Sequence, residues 1–208
     1  MEYKKIKVYK FNELSSKVQD KLVMQEIELM KKEFTIDENE FYIEEIECNG
    51  FLNPKIYYSG FNTQDSGLVF DCDSFDDEFL FNEFSLDNSK FSSSFIDKVK
   101  KSVYTFNITK NSYSNQYNHE RTREFKFTTF EDEFTEFEDE FTEYVENIRT
   151  DLCLKLYFIL KNEYEFLESE DNKNYIINNS DIFNDVLFYE NGTIFNENLR
   201  GAKNGNNK

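Results

Sequence analysis

Leu14, Val18, Leu22, Ile27 and Met30 recur close to the 3.6-residue period of an α-helix. They predict a helix from a cap at Asn12 or Ser15 to about Lys32. Before it, IKVYKF predicts a short strand in which Ile6, Val8 and Tyr9 pack while Lys5, Lys7 and Lys10 stay in water. KIYYSGF (55–61) and GLVFDCDSF (67–75) are rich in β-formers and separated by the turn-forming NTQDS, so a strand pair is expected there. In the second strand Leu68, Phe70 and Cys72 share one face, and Val69, Asp71 and Asp73 share the other, expected to be the solvent side. DDEFLFNEFSLD (76–87) reads as an acidic, aromatic connector. A short helix at about 92–101 then leads to two strands, SVYTFNITKNSY and EFKFTTF, joined by a long hairpin loop.

The strongest helical pattern follows. FEDEFTEFEDEFTE (130–143) is one seven-residue word written twice. Phe130, Phe134, Phe137, Phe141 and Tyr144 fall at steps of three and four, on one stripe. Thr128 or Thr129, three residues before Glu131 or Asp132, offers a capping-box start. The helix is expected to continue to about residue 168, with a break near Thr150. A short helix around IFNDV and a strand or hairpin, LFYENGTIF, turning at Asn191-Gly192, complete the chain. The order of elements predicts a single α+β domain over 1–200, a mostly antiparallel sheet with helices on one face, and a polar, disordered tail at 201–208.

Charge changes the picture most. The chain of 208 residues has a formal net charge of −18, with 42 acids against 24 Lys and Arg. That balance excludes the ordinary modes of nucleic-acid or anionic-membrane binding, which begin with cations neutralising phosphate. A basic protein surface is the expected partner, with no direct DNA binding and no membrane. The 24 Phe and 13 Tyr supply enough bulk for a core despite the charge. Cys48, Cys72 and Cys153 are widely spaced and read as reduced, buried thiols. No run of about 18 apolar residues occurs, and a cytoplasmic protein is expected.

Opposite the Phe stripe of the repeat lie Asp132, Glu136, Asp139 and Glu143, widened by Glu131, Glu133, Glu138 and Glu140 and extended by Glu146. The nine carboxylates span roughly 22 Å, one per about 2.5 Å of axis, against one per about 1.7 Å in duplex DNA. Like charges four apart cost a helix a few tenths of a kcal/mol per pair, so a face selected for solubility alone would interleave lysine. A second run, Asp71 to Asp87, holds seven acids and no base, including Asp73, Asp76, Asp77 and Glu78. Both runs are candidate partner-binding surfaces. Residues 88–129 carry eight Lys or Arg against three acids, a basic patch that either pairs internally with an acidic run or touches the partner or RNA.

Motifs for chemistry are missing. His119 is the one histidine, in a polar loop, with no nucleophile beside it by local spacing. Asp71 and Asp73 open like a calcium loop, but Phe75 and Asn82 occupy ligand positions and Asp76 replaces the required glycine. No catalytic residue, metal or cofactor is assigned. A metal-dependent enzyme using the acids of 71–78 is the third-ranked reading.

VYKFNELSSKVQDKL (8–22), KIYYSGFNTQDSGLVF (55–70), and NEYEFLESED (162–171) followed by NDVLFYENGTIF (184–195) together resemble a family of small phage- and prophage-encoded proteins, mostly of unassigned function and sometimes labelled antitoxin-like. The resemblance spans most of the chain and marks Tyr58, Gly60, Phe61, Gln64 and Gly67 as a motif loop. The chain departs from the pattern at Asn62, where the family usually has Trp, and at Asp65, Ser66 and Gly67, where it has Gly-Asp-Gly. The acidic duplication is likewise outside that pattern. What the resemblance implies is phage origin and a role in conflict with the host. Joined to the acidic face, it leads to the expectation of a stoichiometric inhibitor of a host defence nuclease, of the anti-CRISPR or anti-restriction kind. The alternative is an antitoxin-like or regulatory protein that masks a basic toxin or host factor.

Overall fold

The computed structural model describes residues 6–35, 40–61, 66–110, 118 and 120–195. The described chain is α+β: helices α1 (Ser16–Glu33) and α2 (Glu40–Glu47), strands β1 (Phe51–Tyr58) and β2 (Leu68–Phe75), helices α3 (Asp77–Asp87) and α4 (Ser93–Lys101), strands β3 (Tyr104–Lys110) and β4 (Arg123–Thr129), and helices α5 (Thr135–Phe166), α6 (Glu170–Asn179) and α7 (Asp181–Asp185). The strands form two separate two-stranded antiparallel sheets, β1-β2 and β3-β4. The described residues divide into two compact units, one up to Thr35 together with those from Asn162 onward, the other from α2 to Lys161.

The first unit has its own core of Phe11, Leu14, Val23, Ile27, Ile176, Phe183 and Phe188. Phe11 and Phe183 stack with ring centroids 4.3 Å apart. The expected opening strand is reduced to one bridge, in which Tyr9 and Phe188 exchange backbone hydrogen bonds of 2.9 and 2.8 Å. Residues Phe11–Glu13 coil into a 3-10 turn, because Glu13 reaches back to the Lys10 N–H at 2.8 Å. The hairpin expected at Asn191-Gly192 forms a bridge between Phe188 and Ile194. Gly192 takes φ +85°, and a Cβ there would approach Val18 to 2.9 Å, so the turn needs glycine. Residues 170–179, for which no element is expected from the sequence, form α6, capped by the Ser169 hydroxyl at the Asn172 N–H.

The second unit is built around phenylalanine. On one face of the β3-β4 sheet Phe127 is buried against Phe81 of α3 and Phe137 and Phe141 of α5, and Phe125 against Phe75 of β2 and Phe106 of β3. Phe81 stacks on Phe141 at 4.8 Å, and Phe84 meets both Phe137 and Phe141 edge-on. Each such pair adds about 0.5–1.5 kcal/mol beyond the area it buries. The opposite sheet face carries Thr105, Asn107, Thr109, Glu124 and Lys126, all exposed.

Residues 76–87, expected to be a connector, are instead α3. Asp76 caps it by accepting the Phe79 N–H at 2.9 Å, and Leu80, Phe81 and Phe84 fall on its buried side. The long helix starts later than the capping-box pattern implies. Thr129 is the last residue of β4, a 3-10 turn occupies Asp132–Phe134, and α5 begins at Thr135. No break occurs near Thr150, because Arg149, Leu152 and Cys153 are buried there and hold the helix in place. Phe130, assigned to the apolar stripe, precedes the helix and is 72% exposed. Tyr144 is half-buried. Val69, expected to face solvent, is fully buried. Cys48 is exposed and Cys72 half-buried, so of the three thiols only Cys153 is in the core.

A row of side chains on α5 fits the outer edge of β4. In the β3-β4 ladder Thr105 faces Thr128, Asn107 faces Lys126 and Thr109 faces Glu124, while the backbone N–H groups of Phe125, Phe127 and Thr129 point the other way. Thr129 donates to Glu138 at 2.7 Å, Phe127 to the Thr142 hydroxyl at 3.2 Å and Phe125 to Glu146 at 2.9 Å. Positions four apart on a helix advance about 6.0 Å, and alternate residues of a strand about 6.8 Å, so the two rows stay matched over three contacts.

Thr142→Val keeps the shape of the side chain but leaves the Phe127 N–H without its partner. Urea unfolding should report a loss of about 1–3 kcal/mol, against less than about 0.5 kcal/mol for Glu143→Gln at the exposed neighbouring position.

Candidate functional site

The nine carboxylates, eight in the repeat and Glu146 beyond it, are not equivalent. Glu138 takes both the N–H and the hydroxyl of Thr129. Glu146 holds Phe125 and also Arg149, which is fully buried on the same helix. Arg149 donates to Glu146 at 2.6 and 2.8 Å and to the backbone carbonyls of Glu120 at 2.7 Å and Arg123 at 2.8 Å. Burial alone would lower the Arg149 pKa, but its bonds to Glu146 hold it above the ordinary value. This cluster is structural: it ties the helix to the start of β4.

Two lysines outside the helix reach across to it. Lys90 bridges Glu136 and Glu140, and Lys98 pairs with Glu133 at 2.6 Å. The bond to Lys90, joined by one from Asn88, holds the Glu140 carboxyl below the usual carboxylate range, and Lys98 does the same for Glu133. Asp132, Asp139 and Glu143 are exposed, and no cation among the described residues pairs with them. The sequence reading of an unneutralised comb therefore needs correction. Nine acids against Arg149, Lys90 and Lys98 leave a net six charges over roughly 26 Å, since the α-helical rise begins only at Thr135, or about one per 4.3 Å. That is of the order of the one charge per about 3.4 Å of a single nucleic-acid strand, and well short of the duplex.

The second acidic run is spent largely within the fold. Asp71, far from lying in open solvent, is half-buried and held by two guanidinium nitrogens of Arg123, which also sits 5.4 Å from the Tyr57 ring. Asp73 pairs with Lys55 at 3.3 Å, Asp76 caps α3, and Asp77 accepts the Tyr104 hydroxyl at 3.0 Å. Glu78 is exposed. Among the described residues no three His, Cys, Asp or Glu side chains converge as a metal cage. The Cys72 thiol is pushed up to about 12, mainly by burial and further by Asp71 and Asp73, and burial does the same to Cys153.

What the sequence does not show is where the two acidic runs meet. Asp87, at the end of α3, accepts the Tyr144 hydroxyl of α5 at 3.2 Å. Together with Phe84, Asn88, Glu140, Glu143 and Asn147 they line an acidic groove of about 350 Å³. Burial, reinforced by Asp87, raises the Tyr144 phenol to about 12. The signal for this meeting was Phe84, whose ring packs on Phe137, Phe141 and Tyr144 and sets α3 beside α5.

The basic patch is partly consumed: Arg123 by Asp71, Lys98 by Glu133, and Lys100 by the Asn82 side chain at 3.0 Å. Lys101, Lys110 and Lys126 are exposed without an ion-pair partner among the described residues. In the motif loop, Tyr58 stacks on Phe61 and Phe61 on Tyr157. Gly60 takes φ +78°, and Gly67 is buried and accepts the Ser59 N–H at 3.0 Å. Gln64 and His119 lie outside the described residues.

Residues 16–170 match the family model described as "Domain of unknown function (DUF8835)". No curated protein matches the chain, and no solved structure does.

Lys90→Ala removes the cation that stabilises ionised Glu140. The midpoint of the Glu140 carboxyl, followed by carbon-13 NMR through an acid titration, should rise toward the ordinary glutamate value of about 4.3. Because the folded carboxyl is held low, its contribution to stability is present above that ordinary value and lost as pH falls through the folded one. The variant should therefore lose part of its acid-induced destabilisation.

Proposed function

The chain belongs to the DUF8835 family, and from its own surface we propose a function: a phage-type, stoichiometric inhibitor of a host defence nuclease that presents carboxylates where a nucleic-acid strand would lie. The observation that carries this reading is the row of exposed, unpaired Asp132, Asp139 and Glu143, continued by the acidic groove at Asp87. None of those three contributes to the cap on β4 or to the Arg149 cluster, so fold stability does not account for them. A helix face that repels itself is a cost unless something basic covers it.

The charge spacing selects the target. A density of the order of that of one strand suits a channel that grips a single-stranded guide or displaced strand, lined by Lys and Arg placed for phosphates. The helix is rigid where a strand is flexible, so it loses less conformational freedom on docking. Half-exposed aromatics beside the row, Phe91 and Tyr144, supply apolar contact at the rim. No turnover and no cofactor are required.

The test is competition. A panel of purified nucleic-acid-guided and restriction nucleases is loaded with a fluorescent guide or target strand and titrated with the protein at several salt concentrations. Displacement of the strand, with an affinity that falls steeply with salt, is the expected result. D132N/D139N/E143Q should unfold in urea like the wild type, bind at least about tenfold more weakly and reduce the salt slope by roughly two. Binding that the triple variant leaves unchanged would end the charge-mimicry reading.

A further inference from the structure

The two edges of the β3-β4 sheet are treated differently. On the β4 side, α5 meets the outward N–H groups. On the β3 side the same alternation turns the backbone groups of Tyr104, Phe106, Ile108 and Lys110 outward, because their partners in register are Thr129, Phe127, Phe125 and Arg123. Among the described residues no strand pairs there, and no backbone hydrogen bond is made by the Phe106 or Ile108 N–H. Seven residues without proline or bulge, with one charge on the apolar face at the last position, Lys110, make an open edge.

Burial gives a second, independent sign. Phe125, Phe127 and Thr129 of β4 are buried. Tyr104, Phe106 and Ile108, on the same face of the same sheet, are only half-buried. Phe75 of β2 stacks on Phe106 of this face at 5.1 Å, so the face itself is partly covered, and what has no strand partner among the described residues is the backbone edge of β3.

We infer that β3 is a dimerisation edge, on which a second copy of this chain adds its own β3 antiparallel to form a continuous four-stranded sheet, β4-β3-β3-β4. The occupant is named by the register. An antiparallel pair centred on Asn107 sets Phe106 opposite Ile108 of the other copy, Thr105 opposite Thr109, and Tyr104 opposite Lys110. An aromatic against a β-branched residue and Thr against Thr are favourable cross-strand pairs. Lys110 also comes beside the Tyr104 hydroxyl, which donates to Asp77 at 3.0 Å, so each copy offers a cation to the other's carboxylate. No like charges face each other in this register, since Lys110 is the one charged residue of β3 and stands opposite Tyr104.

The acidic helices do not oppose it. Each α5 caps its own β4, so in the dimer the helices flank opposite edges of the sheet. The two β4 strands alone are about 14 Å apart at three strand spacings, beyond the screening length of about 8 Å in physiological salt.

Sedimentation velocity over a concentration series of the full chain, with two surface variants, tests the register. Thr105 and Thr109 are exposed, so neither variant disturbs the core. T105K/T109K sets lysine against lysine twice and should weaken the dimer at least about tenfold. T105E/T109K sets Glu against Lys and should restore or tighten it. In the wild type, the Phe106 and Ile108 amides should exchange with deuterium more slowly as concentration rises. A wild type that stays monomeric at every concentration, or a dimer that both variants leave unchanged, would overturn the inference.

Discussion

Three backbone N–H groups on the outer edge of β4 set the terms for the second unit. Once α5 packs its Phe137 and Phe141 against the sheet, the edge beside it is closed to another strand, and the N–H groups of Phe125, Phe127 and Thr129 need acceptors from the helix. An unpaired amide in that position costs about 1–3 kcal/mol. Glu138, Thr142 and Glu146 supply the acceptors at four-residue spacing. Arg149 then neutralises Glu146 and fastens the carbonyls of Glu120 and Arg123, so the buried charge is paired and fully hydrogen-bonded.

That constraint sorts the acids. A carboxylate that points at the sheet is an acceptor, one that meets Lys90 or Lys98 is a surface ion pair, and the remainder point at water. Surface pairs of this kind are worth at most about 1 kcal/mol each and weaken with salt. The stability of the unit therefore rests on the phenylalanine core and the capped edge. The free carboxylates Asp132, Asp139 and Glu143 are available for another molecule at little cost to the fold, and a functional face of charge can be carried on a helix whose other side is committed to structure.

The sequence showed the elements with strong periodicity and missed those whose pattern is split. α1, the β1-β2 pair, α4 and the β3-β4 hairpin follow their apolar spacing to within a few residues. α3 was not legible because its apolar residues are not confined to the buried side of Leu80, Phe81 and Phe84: Phe79 is half-buried and Leu86 exposed, which blurs the amphipathic period. The opening strand failed because a lone bridge at Tyr9 cannot be distinguished from alternation in IKVYKF. Of the candidate surface, the outward direction of Asp139 and Glu143 followed from the helical angle alone, whereas Asp132 lies in the 3-10 turn before α5, where that angle does not apply. The internal duties of Asp71, Asp77, Glu138 and Glu146 did not, since each depends on a partner 9 to 52 residues away. A long-range ion pair such as Asp71 with Arg123 has no signature in local spacing.

Native-state amide hydrogen exchange along β4 addresses the division of the acids most directly. If α5 caps the edge, the Phe125, Phe127 and Thr129 amides exchange as slowly as those of Glu124, Lys126 and Thr128, which face β3 in the ladder. Fast exchange at the first three with slow exchange at the second would mean that the edge is open, that Glu138 and Glu146 belong with the exposed acids, and that the account of this helix is wrong.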